Sequence, residues 1–175
     1  MNKSDTHFEI VTPRLQLREM NSMDAPKAFE LNNDPEVVRF TGDKPFTSIA
    51  DAERFIRSYD DYRRFGYGRW AVLLKESNEW IGWCGLKYHP LKDETDIGFR
   101  ILRRYWNKGY ATEASKACLV FGFEQLHLDC IVGRVMKENL ASIRVLEKTG
   151  MKFWKDHLFH EHPGCYYIAN AEDFI

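Results

Sequence analysis

The strongest restriction on the fold of this chain comes from a strand-like run that leads through a glycine turn into a helix. Residues 96–102 read as a strand, and residues 111–126 read as a helix that starts just after Gly109. The first amides of a helix lack internal acceptors and point out of its start, where the helix dipole favours negative charge. Glycine allows the backbone to approach a ligand closely. The turn therefore predicts a site for a phosphate or pyrophosphate.

This turn differs from the well-known nucleotide-binding loops. Neither G-x-x-x-x-G-K-[ST] nor G-x-G-x-x-G occurs in it, so mononucleotide and dinucleotide binding of those kinds is disfavoured. An ordinary strand–turn–helix connection without a ligand is the plain alternative.

Length and charge indicate one globular domain without affinity for nucleic acid. The 175 residues suit a single domain spanning residues 1–175, and we expect the polar residues 1–7 to be flexible. Aromatic residues make up 14% of the chain, which predicts a large core or an aromatic-lined groove. The net charge of −1 provides no basic field, so we expect no direct nucleic-acid partner.

Cysteine usage and hydropathy indicate a cytoplasmic protein. No C-x-x-C pair occurs, and buried free thiols in a reducing compartment are predicted for Cys84, Cys118, Cys130 and Cys165. A catalytic thiol is the alternative. No apolar run approaches the roughly 18 residues that suggest a membrane span, and the N-terminus lacks the apolar core of a signal peptide. We therefore expect no membrane partner.

A histidine cluster near the C-terminus does not have a recognised zinc spacing. Apart from Glu161 and the distant Cys165, no cysteine or acidic partner is placed convincingly beside His157, His160 and His162, so solvated or substrate-facing histidines are favoured. The sequence therefore predicts no metal.

Hydrophobic patterning predicts an α+β domain. A first strand over residues 8–19 contains Pro13, which argues for an edge position or a bend. Helices are predicted near residues 24–32, 34–40, 47–64, 111–126 and 140–148. Further strands are predicted at residues 69–75, 79–89, 95–102, 129–135, 152–159 and 165–169. Antiparallel hairpins plus one strand–helix–strand crossover indicate a mixed sheet in a three-layer arrangement.

Two motifs and the order of elements resemble one known family. Residues 105–114, Tyr-Trp-Asn-Lys-Gly-Tyr-Ala-Thr-Glu-Ala, resemble the acyl-CoA pyrophosphate loop of the GNAT superfamily of N-acetyltransferases, commonly written [QR]-x-x-G-x-[GA]. Trp106, Gly109 and Ala111 stand at its three defined positions. Tryptophan at the first position is familiar in the branch that acetylates ribosomal-protein N-termini. The T-x-R-L-x-L-R run that begins at Thr12 is a further feature of that branch.

The second motif, residues 139–151, resembles the family's N-x-x-S-x-x-x-x-E-K-x-G-[FM] segment beside the pantetheine arm. The resemblance implies that Asn139 lies near that arm and that the Ser142 hydroxyl protonates the leaving thiolate. Their spacing of three also presents both side chains along one edge of a helix. Either residue could instead cap the helix.

The resemblance implies a fold, a reaction and a co-substrate. The fold is a central, mostly antiparallel twisted sheet with one splayed parallel strand pair, flanked by helices. The reaction is direct transfer of an acetyl group from acetyl-CoA to a primary amine, without a metal. A protein N-terminal α-amine of the ribosomal-protein type is the predicted acceptor. A small-molecule amine and a non-catalytic acyl-CoA sensor are the alternatives, and both a monomer and a homodimer are compatible with the sequence.

The same resemblance assigns residues to three roles. The predicted cofactor-binding residues are Phe99, Ile101, Trp106, Asn107, Lys108, Gly109, Tyr110, Ala111, Thr112, Asn139 and Ser142. The predicted catalytic residues are Ser142, Asp96 and Glu138, although either carboxylate could equally be a solvated rim charge. The predicted substrate groove contains Phe40, Tyr67, Trp83 and Tyr166, for which core packing is the alternative.

Overall fold

The structure, a computed structural model, describes residues 9–159 and 161–174. Residues 1–7, expected to be flexible, and His160 lie outside the described residues. The strands are β1 (Glu9–Val11), β2 (Leu15–Arg18), β3 (Arg69–Leu74), β4 (Trp80–His89), β5 (Glu94–Ile101), β6 (Cys130–Met136), β7 (Lys152–Phe159) and β8 (His162–Asn170). The α-helices are α1 (Ala25–Asn33), α2 (Pro35–Val38), α3 (Ile49–Ser58), α4 (Asp61–Phe65), α5 (Tyr110–Glu124) and α6 (Leu140–Lys148).

One eight-stranded sheet organises the molecule, with strand order β1-β2-β3-β4-β5-β6-β8-β7. Neighbouring strands are antiparallel except β5 and β6, which are parallel. The strand–helix–strand connection through α5 produces that parallel pair, because parallel neighbours need a long crossover. The predicted α+β fold with a mixed sheet is confirmed.

Alternating side chains along the strands build two apolar layers. One sheet face packs on α5 through a buried cluster that includes Trp70, Cys84, Ile97, Ile131, Cys118 and Leu119. The opposite face packs on α1 and α2 through Ala71, Leu73, Trp80, Leu31 and Val37. Each fully buried large apolar side chain contributes about 1.5–3 kcal/mol. Sheet and helices are therefore held together from both sides.

The predicted first strand forms a hairpin instead. Its residue 8 lies outside the described residues, and the remainder divides into β1 and β2 around Pro13. The Thr12 amide donates to the Leu15 carbonyl at 2.9 Å, and the Leu15 amide donates to Thr12 Oγ1 at 2.9 Å. The bend expected at Pro13 is therefore a complete reversal of the chain.

The predicted helix over residues 47–64 is interrupted between α3 and α4. Tyr59 leaves helical geometry with ψ of 106°, and Tyr59 Oη accepts a hydrogen bond from the Arg69 amide at 2.9 Å. The Tyr62 hydroxyl donates to the Arg69 carbonyl. These contacts fasten the interrupted helix to the start of β3, which is why helical periodicity alone does not reveal the break.

The parallel strands β5 and β6 separate soon after they meet. Their only register pair among the described residues is Asp96 with Val132. Beyond it, β5 remains paired with β4, whereas β6 remains paired with β8. The carboxyl-terminal halves of β5 and β6 therefore diverge, which opens a wedge beside the start of α5.

The structure tests the predicted burial of the four cysteines and the expectation of no membrane-spanning helix. Cys84, Cys118 and Cys165 are free and buried, but Cys130 at the start of β6 is exposed, which corrects its predicted burial. Of the helices that the structure describes, none has the length and apolarity that a bilayer crossing requires.

Candidate functional site

A cleft of about 430 Å³ opens where β5 and β6 diverge. Four segments line it: α2 with the turn after it, the end of β5, the loop into α5 with the first residues of that helix, and one side of α6. The lining residues are Glu36, Val37, Phe40, Thr41, Phe99, Arg100, Ile101, Tyr105, Trp106, Asn107, Gly109, Tyr110, Ala111, Thr112, Asn139, Ala141, Ser142, Arg144, Val145 and Lys148. The two sequence motifs, about 30 residues apart along the chain, therefore meet across one cleft.

The loop into α5 has an unusual backbone. Asn107 and Gly109 adopt left-handed conformations, with φ of 60° and 81°. Gly109 is the N-cap of α5 and supplies no side chain to cap it, so the amides of residues 110–112 have no intrahelical acceptor. A Cβ at Gly109 would lie 3.3 Å from Arg14 Nη2. An uncapped helix start with its dipole directed into a cleft can hold a phosphate or pyrophosphate.

Trp106 anchors this loop to the sheet. Its indole Nε1 donates to the Ile101 carbonyl, the last one of β5, at 2.7 Å. The indole therefore satisfies an acceptor at the end of β5, and Trp106 stands where the general form of the motif has glutamine or arginine. This contact gives the departure from the general motif a structural role.

Arg14 and Glu113 brace the loop from the β1–β2 hairpin. Glu113, in the first turn of α5, accepts hydrogen bonds from Thr12 Oγ1 at 2.7 Å, the Arg14 amide at 2.9 Å and Arg14 Nε at 2.6 Å. Arg14 Nη1 donates to the Lys108 carbonyl at 3.0 Å. Sequence reasoning missed this role, although the T-x-R-L run and the acidic residue in the helix start were both visible.

Asn139 caps α6 on the other side of the cleft. Its Oδ1 accepts from the Ser142 amide at 3.1 Å, as the capping alternative for Asn139 predicted. The Ser142 side chain is half-buried and lines the cleft. Because the backbone of Ser142, not its hydroxyl, takes part in the cap, that hydroxyl is available to a ligand.

Ten of the eleven predicted cofactor-binding residues line the cleft, and Lys108 does not. The Lys108 carbonyl accepts from Arg14, and its Nζ lies 5.2 Å from the centre of the Tyr105 ring. Its side chain is therefore occupied beside the loop.

The structure argues against a role as proton acceptor for Asp96, one of the predicted catalytic residues. Its side chain is 9% exposed, and its two oxygens lie 2.5 Å from Arg69 Nη2 and 2.5 Å from Arg134 Nη2. Burial by itself would raise the pKa of Asp96, but Arg69, a hydrogen bond with His89, and Arg134 outweigh it and hold the pKa well below its usual range. A carboxylate so strongly stabilised in its ionised form is a poor proton acceptor near neutral pH.

The other predicted catalytic carboxylate, that of Glu138, is exposed between β6 and α6 and is absent from the cleft lining. Of the three predicted catalytic residues, Ser142 alone lies in the cleft. The lining contains a different carboxylate, that of Glu36, whose side chain is 49% exposed.

The four predicted groove residues have different positions. Phe40 lines the cleft. The Trp83 ring lies beside two guanidinium groups, 5.6 Å from that of Arg69 and 5.2 Å from that of Arg100. Both arginines extend from the sheet face opposite α5.

Tyr67 and Tyr166 do not have the exposure that a groove wall needs. Tyr67 is buried in the core and hydrogen-bonds to Thr95 Oγ1 at 2.7 Å. Tyr166 lies on the same sheet face as Arg134 but is 4% exposed, because Trp154 and His157 pack on its ring. Core packing, their alternative, therefore describes both tyrosines.

Several lining residues escaped sequence reasoning. Arg100 is 9% exposed, and its Nη2 pairs with Asp43 Oδ2 at 2.6 Å. Arg144 and Lys148 lie one helical turn apart on α6 and place positive charge on the cleft wall. Their spacing on the helix that carries Ser142 is the signal that would have identified them. Among the described residues, no cluster of histidine, cysteine and acidic side chains could hold a metal ion.

Comparisons with known proteins agree with this geometry. The family described as "Acetyltransferase (GNAT) domain" matches residues 14–152. N-acetyltransferase p20 of Bacillus licheniformis, itself uncharacterized, is 32% identical over 155 residues, covering 87% of this chain and 86% of that protein. A GNAT-family acetyltransferase from Bacillus anthracis has a TM-score of 0.82 at 26% identity, covering 94% of this chain and 99% of that one.

Two solved structures with lower identity share the fold. Spermidine N-acetyltransferase of Vibrio cholerae, in complex with CoA and spermine, has a TM-score of 0.79 at 17% identity, covering 93% of this chain and 99% of that one. Ribosomal-protein-S5-alanine acetyltransferase of Vibrio fischeri has a TM-score of 0.79 at 14% identity, covering 96% and 99%. With the family match over most of its length, this chain belongs to the GNAT family and is an acyl-CoA-dependent N-acetyltransferase.

Proposed function

We propose that this enzyme transfers an acetyl group from acetyl-CoA to the α-amine of a protein N-terminus. The observation that supports the proposal best is the uncapped start of α5, with Gly109 in a left-handed conformation, inside a cleft between the end of β5 and α6. Backbone amides there would hold the pyrophosphate, and Asn139 and Ser142 would lie beside the pantetheine arm. The cleft continues to Phe40 and Thr41, where an acceptor chain can approach.

The chemistry needs few protein groups. Bound acetyl-CoA supplies the thioester. The nitrogen of a neutral amine forms a bond with the acetyl carbonyl carbon, the carbon–sulfur bond breaks, and its electron pair moves to sulfur. In this proposal the amine loses its proton to Glu36 or to water, the Ser142 hydroxyl donates a proton to the departing thiolate, and water returns a proton to Ser142. Holding both reactants in one cleft contributes most of the rate enhancement, because direct transfer needs no covalent enzyme intermediate.

Glu36 takes the place of Asp96 in this proposal. Each oxygen of Asp96 is paired with an arginine. Glu36, by contrast, lines the cleft, is half-exposed and forms an ion pair with Arg39 at 3.9 Å. We further infer that the enzyme acts in the cytoplasm, because three buried free thiols suit a reducing compartment. A monomer and a homodimer both suit this reaction.

The test of function is release of free CoA thiol from acetyl-CoA in the presence of a panel of amines. The panel contains N-terminal peptides of ribosomal proteins, polyamines, amino sugars and amino acids. Acetylation of peptides alone supports the proposal, with Gly109→Val as the matched inactive control. Acetylation of a small amine alone would mean that the acceptor is a small molecule and not a protein N-terminus. Cofactor binding without turnover on any amine favours an acyl-CoA sensor.

A further inference from the structure

Part of the sheet face opposite α5, beside the apolar cluster under α1 and α2, carries charged residues. We call the residues Arg69, Trp83, Asp96, Arg100 and Arg134 the acceptor face. Their strand neighbours Trp70, Cys84, Ile97 and Val135 point to the other side and belong to the core with α5. The acceptor face therefore lies where β5 and β6 diverge, on the side of the sheet opposite α5.

Arg69 lies flat across the centre of this face. A Cβ at Gly98 would lie 2.6 Å from Arg69 Cζ, so only glycine leaves room for the guanidinium there. Arg69 also donates to the Gly85 carbonyl and to Asp96 Oδ1. The guanidinium is thus held on β4 and β5 next to Asp96, the residue at which the two parallel strands part.

Carboxylates on and around the acceptor face are already paired with cations. Asp96 is bound by Arg69 and Arg134, and Asp43 is bound by Arg100. Glu94 accepts from the Tyr166 hydroxyl at 3.2 Å and has Lys92 at 3.9 Å.

Additional cations surround this set. Lys87 lies opposite Asp96 in the strand register, and Lys155 Nζ lies 5.1 Å from the centre of the Tyr166 ring. Cations therefore exceed carboxylates here, and no free acidic groove is present among the described residues for a polycation.

His157, at the rim beside Tyr166, responds to this excess of positive charge. Partial burial lowers the pKa of His157, and Lys92, Arg134 and Lys155 lower it further, against an opposing effect of Glu94. A group at the rim therefore experiences a net positive field. Such a field attracts anionic ligands and disfavours cationic ones.

We propose, on the basis of the acetyl transfer proposed above, that the acceptor face selects amines with a carboxylate close to the reacting nitrogen. An N-terminal peptide with acidic residues after its first position and a free acidic amino acid both have this chemistry. Polyamines lack it and would be repelled. A cationic face also favours the neutral form of the attacking amine, since it opposes protonation of that nitrogen.

The test uses conjugates that bind without turnover. CoA sulfur is joined through a CH₂–CO bridge to the N-terminus of Ser-Asp-Glu-Ala, to that of Ser-Lys-Lys-Ala, to aspartate, and to spermidine. Calorimetry measures each dissociation constant relative to CoA. We expect the acidic peptide conjugate to bind at least about tenfold more tightly than the lysine conjugate, with the preference shrinking as salt is raised. A similar gain for aspartate would identify free acidic amino acids as a source of the carboxylate.

Variants assign the preference to this face and to the cations that surround it. Arg69→Gln and Lys155→Gln should each reduce the ratio of the two peptide affinities several-fold, while CoA alone binds as before. Lys116→Gln, on the exposed side of α5, removes one charge elsewhere and should leave the ratio unchanged. Lys155 is exposed on an edge strand, so its variant remains informative if Arg69→Gln does not fold.

Two results would contradict different claims. Equal or tighter binding of the lysine or spermidine conjugate, with CoA bound normally, overturns the acidic-acceptor inference and leaves acetyl transfer intact. Failure of the wild-type protein to bind CoA at all overturns the proposed function itself. An acidic preference that persists unchanged in both variants removes the acceptor face as its source.

Discussion

Gly109 has a left-handed backbone conformation that most residues avoid. A Cβ in this conformation costs about 1–2 kcal/mol, and here it would also approach Arg14 Nη2. We expect Gly109→Val to raise the dissociation constant of acetyl-CoA more than tenfold, measured by calorimetry. Gly66→Val is the matched control, because Gly66 has the same φ of 81° but lies in open space outside the cleft. Unchanged affinity in Gly109→Val would remove the phosphate-binding role of the loop.

Ser142 has a backbone role and a side-chain role that one substitution separates. Alanine keeps the amide that donates to Asn139 and deletes the hydroxyl. General acids contribute about 10²–10⁴-fold, and a thiolate needs less help than most leaving groups, so we expect kcat to fall about tenfold or more. Acetyl-CoA affinity should change little. Ser58→Ala, at the end of α3, controls for loss of a hydroxyl, and full activity in Ser142→Ala would demote Ser142 to a packing residue.

Asp96 stabilises the fold through its two arginines. Asp96→Asn leaves Arg69 and Arg134 without their buried counter-charge, so we expect unfolding free energy to fall by about 3–5 kcal/mol, measured by urea denaturation at pH 7. The folded-state pKa of Asp96 is depressed, so this stabilisation is fully present above the unfolded pKa of about 3.9 and declines as the pH falls below it.

The difference between wild type and Asp96→Asn should therefore shrink below about pH 4. Asp156→Asn is the control, because Asp156 is 69% exposed in its pair with Lys137 and should contribute less than about 1 kcal/mol. Equal losses in the two variants would mean that burial of the Asp96 cluster adds nothing.

At the scale of elements, the β1–β2 hairpin and the start of α5 act as one support for the loop. Arg14→Gln and Glu113→Gln each break that support, and we expect each to raise the KM for acetyl-CoA about three- to tenfold, with a smaller effect on kcat. Because the residues contact each other, the double variant should lose less than the sum of the single losses. Additive effects would show that the two residues act independently.

A surface ion pair of the same residue types provides the control for that experiment. Arg57 and Glu53 pair at 2.6 Å on α3, outside the cleft lining. Arg57→Gln should leave the KM for acetyl-CoA unchanged. If it raises KM as Arg14→Gln does, the effect reflects general charge loss and not the position of the loop.

Elements with strong local signals are predictable, and elements shaped by distant contacts are not. The predicted helix over residues 140–148 and the predicted strand over residues 152–159 match α6 and β7 residue for residue. Their bounds are predictable because the Asn139 cap, the helical periodicity and Gly150 lie in or directly beside α6. The break between α3 and α4 depends on Tyr59 and Tyr62 reaching β3. Nothing in the helical pattern itself encodes that contact.

At the scale of the whole molecule, the cleft joins segments that are far apart along the chain. A ligand that contacts α2, β5, α5 and α6 together should stabilise the native state as a unit. At one hundred times its dissociation constant, acetyl-CoA should contribute about 2.7 kcal/mol. For a chain of this size, that corresponds to a rise in Tm of about 5–10 °C, measured by calorimetry.

The same experiment has an internal control. Gly109→Val should show a clearly smaller rise in Tm at the same acetyl-CoA concentration, whereas Gly66→Val should show the full rise from its own lower starting value. Absence of any shift in the wild-type protein would contradict acyl-CoA binding in this cleft.

The amino-acid sequence by itself determined the parts of this protein that depend on near neighbours. The glycine turn into α5, the Asn139 cap and the order of strands and helices follow from backbone preferences and spacing within short segments. These are also the parts that carry the family resemblance, and ten of the eleven residues predicted from it to bind the cofactor line the cleft. Local geometry suffices there because a helix start presents its amides wherever the helix is placed.

Only the tertiary structure decided which charges meet. Asp96 is separated in sequence by 27 residues from Arg69 and by 38 from Arg134, and Glu113 is 99 residues from Arg14. The sequence alone does not distinguish a carboxylate that acts as a base from one that is a solvated surface charge or a buried counter-ion. Its pKa and its role depend on burial and on the nearest cations, and both exist only after distant strands have come together.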